Sequence, residues 1–334
     1  MCRCRSAVSR KAVRAARRAS TVSAPTRSRR PSWWVSEMAA TTLGFIGLGV
    51  MGEPMCANLA RKSGLAVLCH DLDAAPVQRL AAHGAVPAAS LDALAEQADA
   101  VFLCLASAAA TEQVVDRLLG CWAHRPGRMV IDTGTTSLAA TRRIAARLQA
   151  QGHRFLDAPI ARMPAAAIAG TLSIMVGGSA QDLTSALPWL RCMGSDVTHC
   201  GATGSGQTVK ILHNTVLIET VHALAEAMAL ARRLGVDGAV LLDAIELGSA
   251  DCKASRVQGR QALLPRDYPQ GRFGTRYALK DVGLALELAQ LAGGSARLAA
   301  ETAAVLQQTV DAGWGDRYYP ALYETIAADG RTPP

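Results

Sequence analysis

No C-x-x-C pair occurs in the 334 residues, although the chain holds nine cysteines. Cys2 and Cys4 are close neighbours, and the others, at 56, 69, 104, 121, 192, 200 and 252, stand singly. That scatter argues against a zinc cluster or a secreted disulfide framework and suits a reducing compartment, so no metal site is expected. An apolar run of membrane length is missing too. The longest apolar stretch, from Val216 onward, is broken by Glu219, His222 and Glu226, and no transmembrane helix is expected. Repeats of fixed period are absent, and lysine is rare: 5 against 30 arginines. What is present is apolar, 50% of residues against 19% charged. That suffices for one large core or two smaller ones, which excludes a disulfide-stapled mini-domain and a wholly disordered chain.

The net charge of +8 is unevenly distributed. Residues 1–37 carry ten Arg and Lys against the single acid Glu37, whereas the rest of the chain has 25 basic and 26 acidic residues. The basicity belongs to a tail, which argues against a nucleic-acid-binding domain. The tail itself reads as an Arg- and Ser-rich transit segment, as a nucleic-acid arm, or as sequence ahead of a start at Met38. The last is preferred, because Met38 lies just before the first strand pattern. A cytoplasmic enzyme is the expectation, or a mitochondrial-matrix one if residues 1–37 are a transit peptide.

From Thr42 strand and helix patterns alternate. Strands are expected over Leu43–Gly47, Leu65–His70, Ala100–Leu105, Met129–Asp132, Phe155–Pro159 and Leu172–Val176, with helices such as Pro54–Arg61, Ala75–His83 and Leu138–Gln151 between them. Apolar strands joined by helices predict an α/β fold with a mainly parallel, doubly wound sheet. After a Gly-rich hinge at Gly201–Gly206 comes a helix of roughly 30 residues, with Arg232 and Arg233 in its last turn and Gly235 as its C-cap. It is apolar nearly all round, as a core element would be. Only helical patterns follow: Ala239–Leu247, Tyr277–Leu291 and Ala296–Ala312. The expected organisation is a basic extension over 1–40, a nucleotide-binding domain over 41–202 and an all-α domain over 203–330, entered through the long helix.

Gly47-Leu-Gly49-Val50-Met51-Gly52 follows the first strand and precedes a helix. The glycines would supply a tight turn, backbone approach to a pyrophosphate and close helix–strand packing, with the helix N-terminus facing the phosphates. Asp71 closes the second strand 19 residues past Gly52, where an acid takes the adenosine ribose hydroxyls. That carboxylate repels a 2′-phosphate, so NAD is expected in preference to NADP. The alternative is an ordinary glycine turn and a strand-end Asp. With both in register the first domain reads as a Rossmann-type fold.

Because Arg cannot give up its proton near neutrality and a desolvated Lys can, the few lysines stand out. Lys210 falls in the first turns of the apolar helix, where burial would bring it into the range of a general acid/base. His213 and Asn214 follow at three and four residues, on one face with it. An amide beside an ammonium suits a carbonyl oxygen that gains charge. A snorkelling lysine beside a satisfied core Asn is the plainer alternative, and a structural His the plainer reading of His213. Arg162, just past the strand ending Asp157-Ala-Pro159, could clamp a carboxylate or sulfonate, or merely cap the sheet. Lys280-Asp281, taken alone, reads as a surface ion pair. Trp314, Tyr318, Tyr319 and Tyr323 read as core packing.

Five ordered motifs carry a resemblance: Gly44-Phe-Ile-Gly-Leu-Gly-Val-Met-Gly-Glu-Pro-Met, Asp157-Ala-Pro-Ile, Gly170-Thr-Leu-Ser-Ile-Met-Val-Gly-Gly, Gly204-x-Gly206-x-x-x-Lys210-x-x-His213-Asn214 and Lys280-Asp281-Val-Gly-Leu-Ala. From Gly44 to about Ile326 the chain resembles the β-hydroxyacid dehydrogenase family, which includes 3-hydroxyisobutyrate dehydrogenase, tartronate semialdehyde reductase and sulfolactaldehyde reductase. The resemblance implies that Lys210 is the catalytic acid/base with Asn214 beside the reacting oxygen. It implies that Lys280 approaches the cofactor, and that Leu105, Ala106 and Thr135 touch the dinucleotide. It also implies a homodimer or homotetramer with the long helix buried between subunits. The chain departs from the family at Ala161-Arg162-Met163, where the family usually has Ser-Gly-Gly, and at His213, where it usually has Asn. The sulfolactaldehyde reductase branch resembles the former and the 6-phosphogluconate dehydrogenases the latter. The family's imine reductase relatives generally lack the lysine.

The expectation is therefore an NAD-dependent enzyme that interconverts a small anionic 3-hydroxy acid and its aldehyde or keto form. Lys210 and Asn214 would be catalytic, and Arg162 and His213 would bind the substrate. A sulfolactaldehyde or tartronate semialdehyde reductase is the nearest alternative. A non-catalytic NAD-binding scaffold with a nucleic-acid arm is the rival of another class, and the presence of Lys210 argues against it.

Overall fold

The computed structural model describes residues 41–328, so the expectations for the basic extension lie outside the described residues. Nine strands are present among them: β1 Thr42–Ile46, β2 Ala66–His70, β3 Val86–Pro87, β4 Ala100–Leu103, β5 Met129–Asp132, β6 Arg154–Asp157, β7 Ile160–Ala161, β8 Leu172–Gly177 and β9 Gly194–Gly201. They form one sheet in the order β3-β2-β1-β4-β5-β6-β8-β7, with β9 on β8. β1 to β6 pair in parallel, and β8 runs antiparallel to β6 and β7.

Alternation along the strands splits their side chains between two cores. Leu43, Phe45, Phe102 and Ile131 face one layer of helices, and Ile46, Val101, Leu103 and Val130 face the other. Strand order reverses beside β1, between β2 and β4. The crevice at the carboxyl ends of these strands is where a doubly wound sheet accepts a ligand.

The long helix spans Ser205–Arg233. Its end follows from Gly235, whose φ of +77° lets the chain turn so that Val236 N–H returns to the Ala231 carbonyl. Ile218, Val221, Ala225 and Met228 on its inner side pack with Val282, Leu306, Tyr319 and Leu322. Nearer its start, Ile211 joins Leu138 of the crossover helix between β5 and β6 to Leu284 and Leu288 of helix Thr275–Leu291. Helices alone follow the sheet, and none among the described residues is long and apolar enough to cross a membrane.

Within one chain the long helix keeps an exposed stripe, Val209, Leu212, Val216 and Leu230 at helical spacing. β9, eight residues long, escaped the sequence pattern, because its side chains are mostly exposed on a sheet edge and carry no apolar alternation.

Candidate active site

The turn after β1 is shaped by sterics. At Gly47, with φ +94°, an added Cβ would run into the Cys104 carbonyl, and at Gly52 into the Gly47 carbonyl. These two glycines bring the start of helix Gly52–Lys62 against β1 and β4. A Cβ at Gly49 would meet nothing within 4 Å, and Val50 beside it is exposed. The helix begins at Met51 without a side-chain cap. An open glycine turn leading to an uncapped helix N-terminus fits a pyrophosphate. Asp71, at the end of β2, accepts the Leu48 N–H inside the turn and the Asp73 N–H at 2.8 Å. Its carboxylate organises the turn and keeps lone pairs for ribose hydroxyls. Leu105 and Ala106 follow β4 and Thr135 follows β5, all partly or fully open at the same sheet edge. The residues present thus fit a dinucleotide.

The start of the long helix is fixed by the sheet. Its N-cap, Gly204, offers no side chain, and Asp157 at the end of β6 takes that place. Asp157 Oδ1 accepts the Gly204 N–H at 2.7 Å, and Oδ2 accepts the Gln207 N–H at 2.9 Å. Gln207 in turn grips the loop after β5, donating to the Gly134 carbonyl at 2.8 Å and accepting from the Thr136 N–H at 3.2 Å. The cofactor-side loop and the helix carrying Lys210 are thereby tied through one carboxylate and one amide. This function of Asp157 and Gln207 was not apparent from the motifs.

Lys210 is 8% exposed. Its Nζ donates to Asn214 Oδ1 at 2.9 Å, one helical turn on. His213 Nδ1 lies 3.1 Å from the same oxygen. Asn214 Nδ2 donates to Asp281 Oδ2 at 2.6 Å, which settles the amide's orientation. Asp281 is buried on helix Thr275–Leu291. Its neighbour Lys280 places Nζ 3.2 Å from Asp281 Oδ1 and 3.0 Å from the Thr135 carbonyl. Lys210, His213, Asn214, Lys280, Asp281 and Thr135 are thus one connected group. Lys280 is both the partner of Asp281 and a bridge to the loop after β5, so neither a solvated ion pair nor cofactor approach alone describes it.

Burial pulls the Lys210 ammonium down to about 8. Asp281 opposes that shift and Lys280 adds to it. His213 is likewise held below the ordinary imidazole range, chiefly by desolvation and further by Lys210, while Asn214 opposes. Near neutrality the site offers a lysine poised between its two protonation states beside a largely neutral imidazole. That arrangement is chemically able to move a proton to or from an oxygen held next to it.

Arg162, expected either to clamp an anion or to cap the sheet, is engaged in an exposed polar cluster. Its guanidinium donates to Asp196 Oδ2 at 2.7 Å, to Ser195 Oγ at 2.9 Å and to the Thr171 carbonyl. In this arrangement Asp196 is its ion-pair partner, through a contact that is exposed on both sides. The φ of +89° at Arg162 is a backbone angle suited to glycine.

Comparison with known proteins gives a consistent result. Residues 42–201 match the NAD binding domain of 6-phosphogluconate dehydrogenase, and residues 204–326 match the NAD-binding model of NADP-dependent 3-hydroxyisobutyrate dehydrogenase. Drosophila melanogaster mitochondrial 3-hydroxyisobutyrate dehydrogenase is 31% identical over 86% of this chain and 90% of its own. The NAD-dependent L-serine dehydrogenase of Pseudomonas aeruginosa is 34% identical over 84% and 96%. The solved structure of Mycobacterium tuberculosis 3-hydroxyisobutyrate dehydrogenase with L-serine superposes with a TM-score of 0.80 at 32% identity, covering 86% of this chain and 99% of that one. The chain belongs to the 3-hydroxyisobutyrate dehydrogenase family of NAD-binding oxidoreductases, which act on CH–OH donors.

Proposed function

We propose that this enzyme interconverts a small anionic 3-hydroxy acid and its aldehyde or keto form, with Lys210 as the acid/base. The observation that carries the reading is the Lys210–Asn214–Asp281 chain: a buried lysine near its titration point, hydrogen-bonded at 2.9 Å to an amide that is itself held at 2.6 Å by a buried carboxylate. A dinucleotide held by the Gly47–Gly52 turn and Asp71 would supply the acceptor or donor for the hydride of the carbinol carbon. This chain's residues manage the proton and the geometry. In oxidation, neutral Lys210 spends one N–H on Asn214 Oδ1, and its lone pair accepts the substrate hydroxyl proton. In reduction, the ammonium donates to the forming alkoxide.

With Lys210 as the ammonium, it and Lys280 outweigh the single carboxylate of Asp281 and attract an anion; with Lys210 neutral, Lys280 alone balances Asp281. For Arg162 to contribute, it would have to exchange Asp196 for the substrate. Asp71 supports NAD over NADP, as expected from its position at the end of β2. The exposed stripe Val209, Leu212, Val216 and Leu230 supports a homodimer or homotetramer that covers it.

NAD-linked oxidation of a panel of short 3-hydroxy acids tests this reading directly. The wild type should turn over at least one member, and Lys210→Met should lower kcat by roughly 10³-fold or more while NADH still binds. Near-normal turnover in that variant removes Lys210 from the chemistry.

A further inference from the structure

The hydrogen-bond directions around Asn214 determine which tautomer His213 adopts. Asn214 Nδ2 donates to Asp281 Oδ2, so Asn214 Oδ1 is an acceptor, and it already receives Lys210 Nζ. His213 Nδ1 lies 3.1 Å from that same oxygen. A bare nitrogen there would face another acceptor, so Nδ1 carries the proton and Nε2 carries the lone pair. Nε2 has no partner among the described residues, and the ring edge is open to solvent. Partial desolvation and the neighbouring Lys210 ammonium lower the imidazole's pKa, which favours the neutral ring. Beside the oxygen that organises Lys210, the protein therefore presents one acceptor that no protein group claims.

We infer that His213 is a specificity-determining residue that reads a hydrogen-bond donor on C2 of the substrate, a hydroxyl or an ammonium, next to the reacting carbinol. The inference rests on the 3-hydroxy acid reading above and narrows it. A C2 methyl or a bare methylene would leave the Nε2 lone pair desolvated without a partner when the substrate covers it, and an unpaired polar group in a closed site discriminates more strongly than added apolar contact does. Of the two donors, an ammonium would bring a third cation beside Lys210 and Lys280, so the hydroxyl is favoured near neutrality.

The test compares kcat/KM with NAD for four acids of matched length: glycerate, serine, 3-hydroxypropionate and 3-hydroxyisobutyrate. The wild type is expected to favour a donor-bearing acid over both donor-free ones by at least tenfold, and the better of glycerate and serine identifies the donor. His213→Leu should reduce that ratio at least fivefold, and His213→Gln, whose carbonyl restores an acceptor, should recover most of it. A wild type that prefers the methyl or methylene compound, or a ratio that His213→Leu leaves unchanged, overturns the inference while leaving the dehydrogenase reading intact. If none of the four acids is oxidised, the function proposed above fails, and this inference falls with it.

Discussion

At the scale of single residues, each key side chain is controlled by a neighbour that does not itself react. Lys210 titrates near neutrality because burial outweighs Asp281, and Asn214 points its oxygen at Lys210 because Asp281 holds its nitrogen. Lys210, His213 and Asn214 were legible in the sequence because four-residue spacing on one helix is local information. Asp281 was visible only as half of a Lys-Asp pair. Its role depends on two helices packing together, which no local pattern carries. Arg162 shows the converse: its place in a motif suggested a clamp, and a partner 34 positions away claims it. Arg162→Gly should therefore change KM for the best acid less than about threefold. It should leave stability level or raised, because relief of left-handed backbone, worth about 1 kcal/mol, offsets the loss of a weak surface ion pair. Steady-state kinetics and a denaturant titration check both halves, and a large rise in KM would restore the clamp.

Among the elements, the long helix shows most clearly how distant structure positions the site. Its span was readable from the glycine hinge and the Gly235 stop, and it extends over Ser205–Arg233. The means by which it is aimed was not. An N-terminus normally capped by its own Ser, Thr or Asp is here capped by Asp157 from the end of a strand. Gln207 then joins that first turn to the loop holding Thr135. Asp157→Ala removes two buried acceptors at once and should cost about 2–4 kcal/mol in equilibrium unfolding. Because Lys210 sits less than two turns beyond the cap, kcat should fall with it, whereas an effect on neither stability nor kcat would show the cap to be idle. β9 and the short β7 were missed for a plainer reason. One is an exposed edge and the other two residues long, so neither needs an apolar pattern.

In the molecule as a whole, parallel register brings two carboxylates to adjacent strand ends, Asp132 on β5 beside Asp157 on β6. Burial holds Asp132 up at about 6, the Gly134 N–H opposes, and Asp157 adds to the rise. An acid whose folded value lies above its unfolded one contributes stability that is complete below the unfolded value and disappears as pH rises through the folded one. For Asp132 the window runs from about 4 to about 6, and the shift corresponds to about 3 kcal/mol. Asp132→Asn cannot ionise, so its stability relative to wild type should improve as pH is raised through that window. A flat difference between pH 4 and pH 8 would contradict the placement of Asp132. The overall architecture was legible because alternating strands and helices, a glycine turn and a helical second half are all chain-order information. Asp157, the buried carboxylate that ties the sheet to the long helix, is placed by sheet register, and register is not written in one segment.

The most direct test of the central claim is the pH dependence of kcat/KM in both directions, in the wild type and in Asp281→Asn. Oxidation needs the neutral amine and should rise through about 8, while reduction needs the ammonium and should fall over the same range. Replacing Asp281 removes the one anion that favours the charged form, so both limbs should move to lower pH together. Limbs that stay in place in the variant, or that move in opposite directions, would show that Lys210 is not the group transferring the proton.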